Sequence, residues 1–507
     1  MSTNKLGITR RNLLSTAAVG SALLTVASAG VAFADETSWD KEADVVVVGL
    51  GGAGAAAAAA AAVDGGAKVL VLESEEQGGG STAICGGLIY LGGGTQTQID
   101  AGVEDTPENM YAYLNAAMGP SANQELLKVF CDRSLDTYSW LLDMGVTFDG
   151  KAFLDKHYVV APEGGVLTYS GNECAPEYAA VAEPAPRGHT PNGGGAAIVD
   201  ALAHHVESSE LGEIVYGMRA TNLVKDDEGA VVGVIAQDAE GEQVRIHATK
   251  GVVLAAGAFT YNEDMLADYA PEALLCIGKT GVPSDRGDGI LMGLAAGAQL
   301  RSISRLNISQ FMYIYGGLAT GLMLSKRGLR FAAEDWYGAW IGRAVAQNSS
   351  DKCYIILDSE SAKTVEPTYY GMMIEPDFQD DTIEGLIEQI GLPQDASLAS
   401  VERYNSLCER GEDSDFGKPL DYLLPVKTGP FYAYDASSAR MGNYHTLGGL
   451  KINANAKVLS VDGSPIPGLY AAGRTSSGIY GEYPASGTSV ADCVIFGRIA
   501  GEQAATR

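Results

Sequence analysis

Unbroken apolar runs, rather than alternating ones, mark the start of this chain. Val45–Val48 are four consecutive valines after Asp44, and Val69–Leu72 form a second run that ends at Glu73. Short continuous runs bounded by turn residues predict strands buried on both faces, as in a parallel sheet covered by helices. Between them Ala55–Ala62 are all alanine, which predicts a helix whose small side chains let it pack closely on its neighbours. Two later segments, Gly251–Gly257 and Pro465–Gly473, are short apolar strands that each end in Ala-Ala-Gly. Strand, helix and strand in this order predict an α/β chain.

The turn between the first strand and the helix reads Gly49-Leu-Gly51-Gly52-Ala53-Gly54. Gly49 permits the tight turn, Gly51 lets backbone approach a pyrophosphate, and Gly54 lets helix and strand pack closely. The helix N-terminus then meets the phosphate charge. Glu73, with Ser74 after it, ends the second strand at the separation expected for an acid that binds ribose hydroxyls. A second glycine-rich loop follows, with Gly79, Gly80, Ser81 and Thr82 and then Gly86 and Gly87. The later strand ends add Ala256, Gly257, Gly473 and Arg474. Several backbone-lined segments returning to one nucleotide suit an extended flavin, so FAD is the expected cofactor and the fold class is an α/β, Rossmann-type FAD-binding domain.

Length and charge narrow the partners. At 507 residues the chain is long enough for two domains. A formal net charge of −29 disfavours nucleic acid and anionic membrane surfaces. The N-terminal segment, with paired Arg10 and Arg11, an apolar run from Leu13 and Ala32-Phe-Ala34 before Asp35, reads as a twin-arginine signal peptide over residues 1–34. Export to the periplasm or cell surface is therefore expected, with no membrane span once the leader is removed. The seven cysteines show no CxxC motif, and the six histidines show no metal-ligand spacing, so no metal is expected.

These segments, with Gly287-Asp288-Gly289 and Pro465–Gly473, resemble the fumarate reductase/succinate dehydrogenase flavoprotein superfamily over nearly the whole chain after the leader. The resemblance implies an FAD-binding domain in two parts, residues 35–260 and 431–507, with an inserted α+β capping domain over residues 261–430. It also places Asp288, His445 and Ser489 near the cofactor. The segment Arg330-Phe-Ala-Ala-Glu334 resembles the RF-x-x-E element of the dicarboxylate reductases in this superfamily, with Glu334 at the family acid. Where their proton-donating arginine would follow, Asp358–Lys363 contains none. Planar, bidentate recognition of carboxylates is what arginine supplies, so fumarate reduction is disfavoured.

Other stretches resemble the 3-ketosteroid dehydrogenases, of the Δ4-(5α) and Δ1 types: Gly86–Thr95, Pro107–Met110, Ala185-Pro-Arg187-Gly-His189 and Tyr483-Pro484-Ala-Ser486-Gly487-Thr-Ser489. That likeness implies catalytic roles for Tyr337, Tyr483, Ser486 and Gly487. Tyr483, Ser486 and Gly487 would grip a ketone, Tyr337 would carry the proton on the adjacent carbon, and hydride would pass to or from flavin N5. The loop combines features of both types, since Pro484 stands where the Δ4 type keeps its tyrosine. Each residue also has an ordinary reading. Tyr337 could pack with Trp336 and Trp340, Ser486 could cap the helix starting near Thr488, Arg187 and His189 could form a surface turn, and Tyr313 and Tyr315 could line a pocket or one strand face. The expected substrate is a small apolar, steroid-like ketone, served by an external electron donor or acceptor. The alternative is a fumarate-reductase-like enoate reductase using urocanate, cinnamate or a similar acceptor.

Overall fold

The computed structural model describes residues 30–33, 38–154, 165–310, 317–365 and 374–507. Residues 1–29 of the expected leader, with Arg10 and Arg11, and Tyr313 and Tyr315 lie outside the described residues.

The valine run becomes the strand Lys41–Val48, with Val45–Val48 wholly buried. It pairs in parallel with Val69–Leu72 on one side and with the long strand Gln243–Leu254 on the other. Pro465–Ala471 joins in parallel on Leu254's side, so the N- and C-terminal parts of the chain share one sheet. Val69–Leu72 carries Gly212–Val215 on its far edge. Beyond Gln243–Leu254 the sheet continues through Val231–Gln237 and Arg219–Lys225 to Gly30–Phe33, a short strand from the expected leader that pairs in parallel with Arg219–Lys225.

The alanine run forms the helix Gly52–Ala59, which passes into a wider turn over Ala60–Asp64. It packs against the closing helix Thr488–Ala505. Any side chain at Gly497 or Gly501 would meet the backbone of Ala53 or Ala57, so the two helices approach as closely as the small residues permit.

A second, antiparallel sheet orders Leu322–Ser325, Cys353–Leu357, Phe431–Asp435 and Phe378–Asp380. The helices Gly338–Ser349, Ile383–Ile390 and Gln394–Arg410 accompany it. This is an α+β cap with its own hydrophobic clusters, one around Leu322, Ile356, Leu386 and Tyr404 and another around Met323, Ile341 and Ile355. Its sheet includes Phe431–Asp435, which lies past the expected edge at residue 430. Glu334 sits inside the cap, fully buried, between Lys418 at 3.1 Å and Arg330 at 2.8 Å. Burial pushes its carboxyl up, but the two cations outweigh this and hold it below the usual range. Asp413 completes the cluster with a 2.8 Å bond to Arg330.

Two small sheets bring the site together. Leu306–Gln310 and Gly278–Lys279 flank Gly442–Thr446, the strand that carries His445. Ile89–Tyr90, Gly188–His189, Gly165–Thr168 and Lys151–Phe153 form the other. Among the described residues no helix is long and apolar enough to cross a membrane.

Candidate active site

A cavity of about 880 Å³ opens where Lys41–Val48 meets the glycine turn. Of the expected cofactor residues, Gly49, Gly51, Gly52, Ala53, Glu73, Ser74, Gly80, Ser81, Thr82, Ala256, Gly257, Asp288 and Arg474 line it. Gly54, Gly79, Gly86, Gly87, His445, Gly473 and Ser489 are not in that lining. Gly54 lies under the turn, where a methyl would collide with the Gly49 carbonyl. Gly79 donates to Leu50 O at 2.7 Å and so ties the second glycine loop to the first. The Gly87 N–H donates to Cys85 Sγ at 3.3 Å, and Gly473 abuts Cys493, itself part of the cavity wall.

The wall fits an extended dinucleotide such as FAD. The Gly52–Ala59 helix points its N-terminus into it, and Thr82 Oγ1 accepts from Gly52 N at 3.2 Å, bringing the second loop over that end. Glu73 Oε2 accepts from Leu50 N at 2.7 Å, which holds the carboxylate at the strand end, where ribose hydroxyls would meet it. The volume lies in the range of cofactor pockets. Sequence reasoning missed Asp285, which accepts from Ser81 Oγ at 2.6 Å, and Arg219, which holds Asp288 by bonds of 2.8 and 2.9 Å. Neither lies in a recognisable motif, and both reach the cavity from segments distant in sequence.

The expected catalytic residues converge at one place. Tyr337, only 6% exposed, is the N-cap residue of the cap helix Gly338–Ser349. Its hydroxyl lies 2.7 Å from Ser486 Oγ. The Tyr483 ring stacks on the Tyr337 ring at 6.5 Å between centroids, and His445 meets the Tyr483 ring edge-on at 5.5 Å. Gly487, not Ser486, is the N-cap of the closing helix, and no side chain caps that end. Its φ of +89° and the closeness of Tyr90 N leave room for glycine alone, while its carbonyl accepts from Tyr90 N at 3.1 Å.

Electrostatics separate the polar roles. Arg474 donates to Thr446 O at 2.9 Å and to His445 Nε2 at 2.8 Å, and its guanidinium lies 5.3 Å from the Tyr480 ring centroid. An arginine cannot accept, so His445 Nε2 must be the unprotonated nitrogen. Burial, with Arg474 beside it, holds the His445 pKa well below its usual value, and the ring stays neutral. Burial raises Tyr483, while Arg474 and the Ser489 and Thr488 hydroxyls pull it down less strongly. Tyr483 is thus a protonated donor near neutral pH. Ser489 lies beside both the Tyr480 and Tyr483 hydroxyls.

Arg187 and His189 are fully buried, not a surface turn. Arg187 pairs with Asp105 through bonds of 2.8 and 2.7 Å, and His189 lies between Thr95 Oγ1 at 2.9 Å and Arg187 O at 3.0 Å. Among the described residues, no cluster of His, Cys, Asp or Glu could hold a metal ion.

A match to the FAD binding domain family extends over residues 44–490. The chain belongs to this family: it is an FAD-dependent oxidoreductase. Among solved structures, a 3-ketosteroid-Δ4-(5α)-dehydrogenase from Rhodococcus jostii RHA1, in complex with 4-androstene-3,17-dione, is 37% identical with a TM-score of 0.85, covering 93% of this chain and 98% of that one. Digoxin reductase from Eggerthella lenta is 29% identical over 519 residues, 93% of this chain and 88% of that protein. NADH:acrylate oxidoreductase from Vibrio harveyi is 31% identical over 401 residues; these are 75% of this chain but only 37% of that longer enzyme.

Proposed function

We propose that this chain forms or reduces a carbon–carbon double bond conjugated to a ketone, with a 3-ketosteroid-like molecule as substrate. The observation that carries the reading is the 2.7 Å contact between the Tyr337 and Ser486 hydroxyls beside the stacked ring of Tyr483. A phenol from the cap and a serine from the loop can share a proton there, next to a second phenol that can donate to a carbonyl oxygen.

Bound FAD supplies the hydride acceptor or donor. The chain's own residues handle the rest. Tyr337 takes the proton from the carbon alpha to the ketone in the oxidative direction, or delivers it in the reductive one, and exchanges it with Ser486. Tyr483 donates to the ketone oxygen, and the N-terminal end of the Thr488–Ala505 helix adds partial positive charge where an enolate would develop. His445, held by Arg474, packs edge-on against the buried ring of Tyr483.

The surroundings favour a ketone over a carboxylate. Arg305 and Arg343 approach the loop, yet both are engaged by Glu482, at 2.8 and 2.6 Å. A substrate carboxylate would have to displace this internal one. The leader supports export by the twin-arginine pathway, and an external electron partner would then serve the flavin. The second reading, an enoate reductase, has support in the acrylate-named relative.

Anaerobic assay of the FAD-loaded protein with reduced viologen distinguishes the two. Androstenedione-like enones are expected to be reduced, and Tyr483→Phe to lower that rate by about 10²–10³-fold, the usual cost of one lost oxyanion donor. Turnover of acrylate, urocanate or cinnamate without any turnover of enones would overturn the ketone reading.

A further inference from the structure

Tyr337 and Ser486 reach each other from different elements. Tyr337 begins a cap helix, and Ser486 lies in the loop before the closing helix. Both are bonded to a third segment, residues 170–172. The Ser486 N–H donates to Ser170 O at 2.8 Å, and Gly171 pairs with Ala485 in an antiparallel bridge. On the other side, Asn172 Oδ1 accepts from the backbone N–H of Tyr337 at 2.9 Å. The backbone N–H of Asn172 donates to the Tyr113 hydroxyl at 3.0 Å, and that hydroxyl donates to Pro484 O at 3.0 Å.

The segment is fixed from below. Glu173, 1% exposed, accepts from Gly171 N at 2.8 Å and from the Tyr90 hydroxyl at 3.2 Å. Arg187, buried against Asp105, reaches the same Tyr90 hydroxyl at 3.4 Å. Buried groups bonded on several sides leave little freedom, so the base and the loop move as one. At this point a side-chain acceptor, Asn172 Oδ1, holds the backbone N–H at which the cap helix begins.

We propose that Asn172, oriented by Tyr113, is the positioning residue that sets the proton-transfer distance between Tyr337 and Ser486. The inference rests on the reading of Tyr337 as proton carrier under Proposed function. A helix of 12 residues starting at Gly338 has its first N–H groups unsatisfied by its own turns, so the link at Tyr337 fixes where the helix begins. A 2.7 Å hydroxyl contact does not survive a shift of about 1 Å, and such a misplacement costs on the order of 10²-fold in rate.

The test uses the full chain with FAD bound, and whichever unsaturated substrate the parent turns over. Asn172→Ala removes the acceptor, and Tyr113→Phe removes only the hydroxyl that orients it, which covers the case in which the first variant fails to fold. In either soluble variant kcat is expected to fall about 10- to 100-fold with KM within about twofold. The solvent deuterium isotope effect on kcat should grow, and amide exchange in the peptide containing Tyr337 should accelerate. An unchanged kcat despite faster exchange at Tyr337 overturns the proposal. So does a loss of kcat matched by loss of bound FAD or by a parallel rise in KM, because either would mark a merely structural role. If the parent reduces an enoate and no enone, the ketone reading fails while this test proceeds on the enoate.

Discussion

A fully buried histidine can take up a proton only by placing a charge where water does not reach it. His189 is such a residue, with burial lowering its pKa to about 4 against the usual 6.5. Between those values the unfolded chain binds a proton that the native chain does not, so stability falls as pH drops from 6.5 towards 4, by about 3 kcal/mol in all. A His189→Gln variant should lack this component. Melting temperatures measured from pH 7.5 to 4.5 should fall more steeply for the parent than for the variant, and parallel curves would refute the assignment. At this scale the sequence was informative in an uneven way. Tyr337, Tyr483 and Ser486 were legible through their loop and cap motifs, and the structure brings them together. Arg187 and His189 were visible as a motif, but their complete burial was not, because their partners Asp105 and Thr95 lie 82 and 94 residues away. Asn172 and Tyr113 were not legible at all. An asparagine and a tyrosine outside any motif give no signal until the fold places one beside the other.

The elements that were most legible are those in which local pattern and tertiary role coincide. The valine run, the glycine turn and the alanine helix each follow from one short stretch, and the sheet assembles them in parallel as expected. Gly54 offers a test at this scale. Any side chain there would collide with the Gly49 carbonyl, so Gly54→Ala must push the helix away from the turn that faces the cofactor. Overpacking of this kind costs about 1–3 kcal/mol, and it should also release FAD from the wall that Gly49, Gly51 and Gly52 form. Urea denaturation and flavin absorbance after gel filtration would measure both effects. A variant that kept parental stability and a full flavin complement would show that the helix can shift without cost. The cap was less legible because its elements are joined by long-range pairing. Phe431–Asp435 enters a sheet whose neighbouring strand, Cys353–Leu357, lies more than 70 residues earlier.

The whole molecule separates the place where FAD would bind from part of the chemistry. Among the described residues, none from the second, antiparallel sheet or its helices lies in the wall of the cofactor cavity, whose lining comes from residues 48–53, 72–78, 80–84, 218–220, 255–257, 282–285, 288, 474 and 493. Tyr337 belongs to the cap, and so does the buried cluster of Glu334, Lys418, Arg330 and Asp413. Removing one partner of a buried ionic cluster leaves uncompensated charge and costs about 3–5 kcal/mol. Glu334→Ala would leave Lys418, with no exposed surface on its side chain, without its carboxylate. The cap should therefore loosen while the parallel sheet and its glycine turn stay intact. The expected result is a protein that retains its flavin complement, loses most of its turnover, and is cleaved in the cap by a protease at concentrations that leave the parent whole. Loss of FAD in step with turnover would instead mean that the two domains unfold as one, and that the cap is needed to hold the cofactor as well as to place Tyr337 over the substrate.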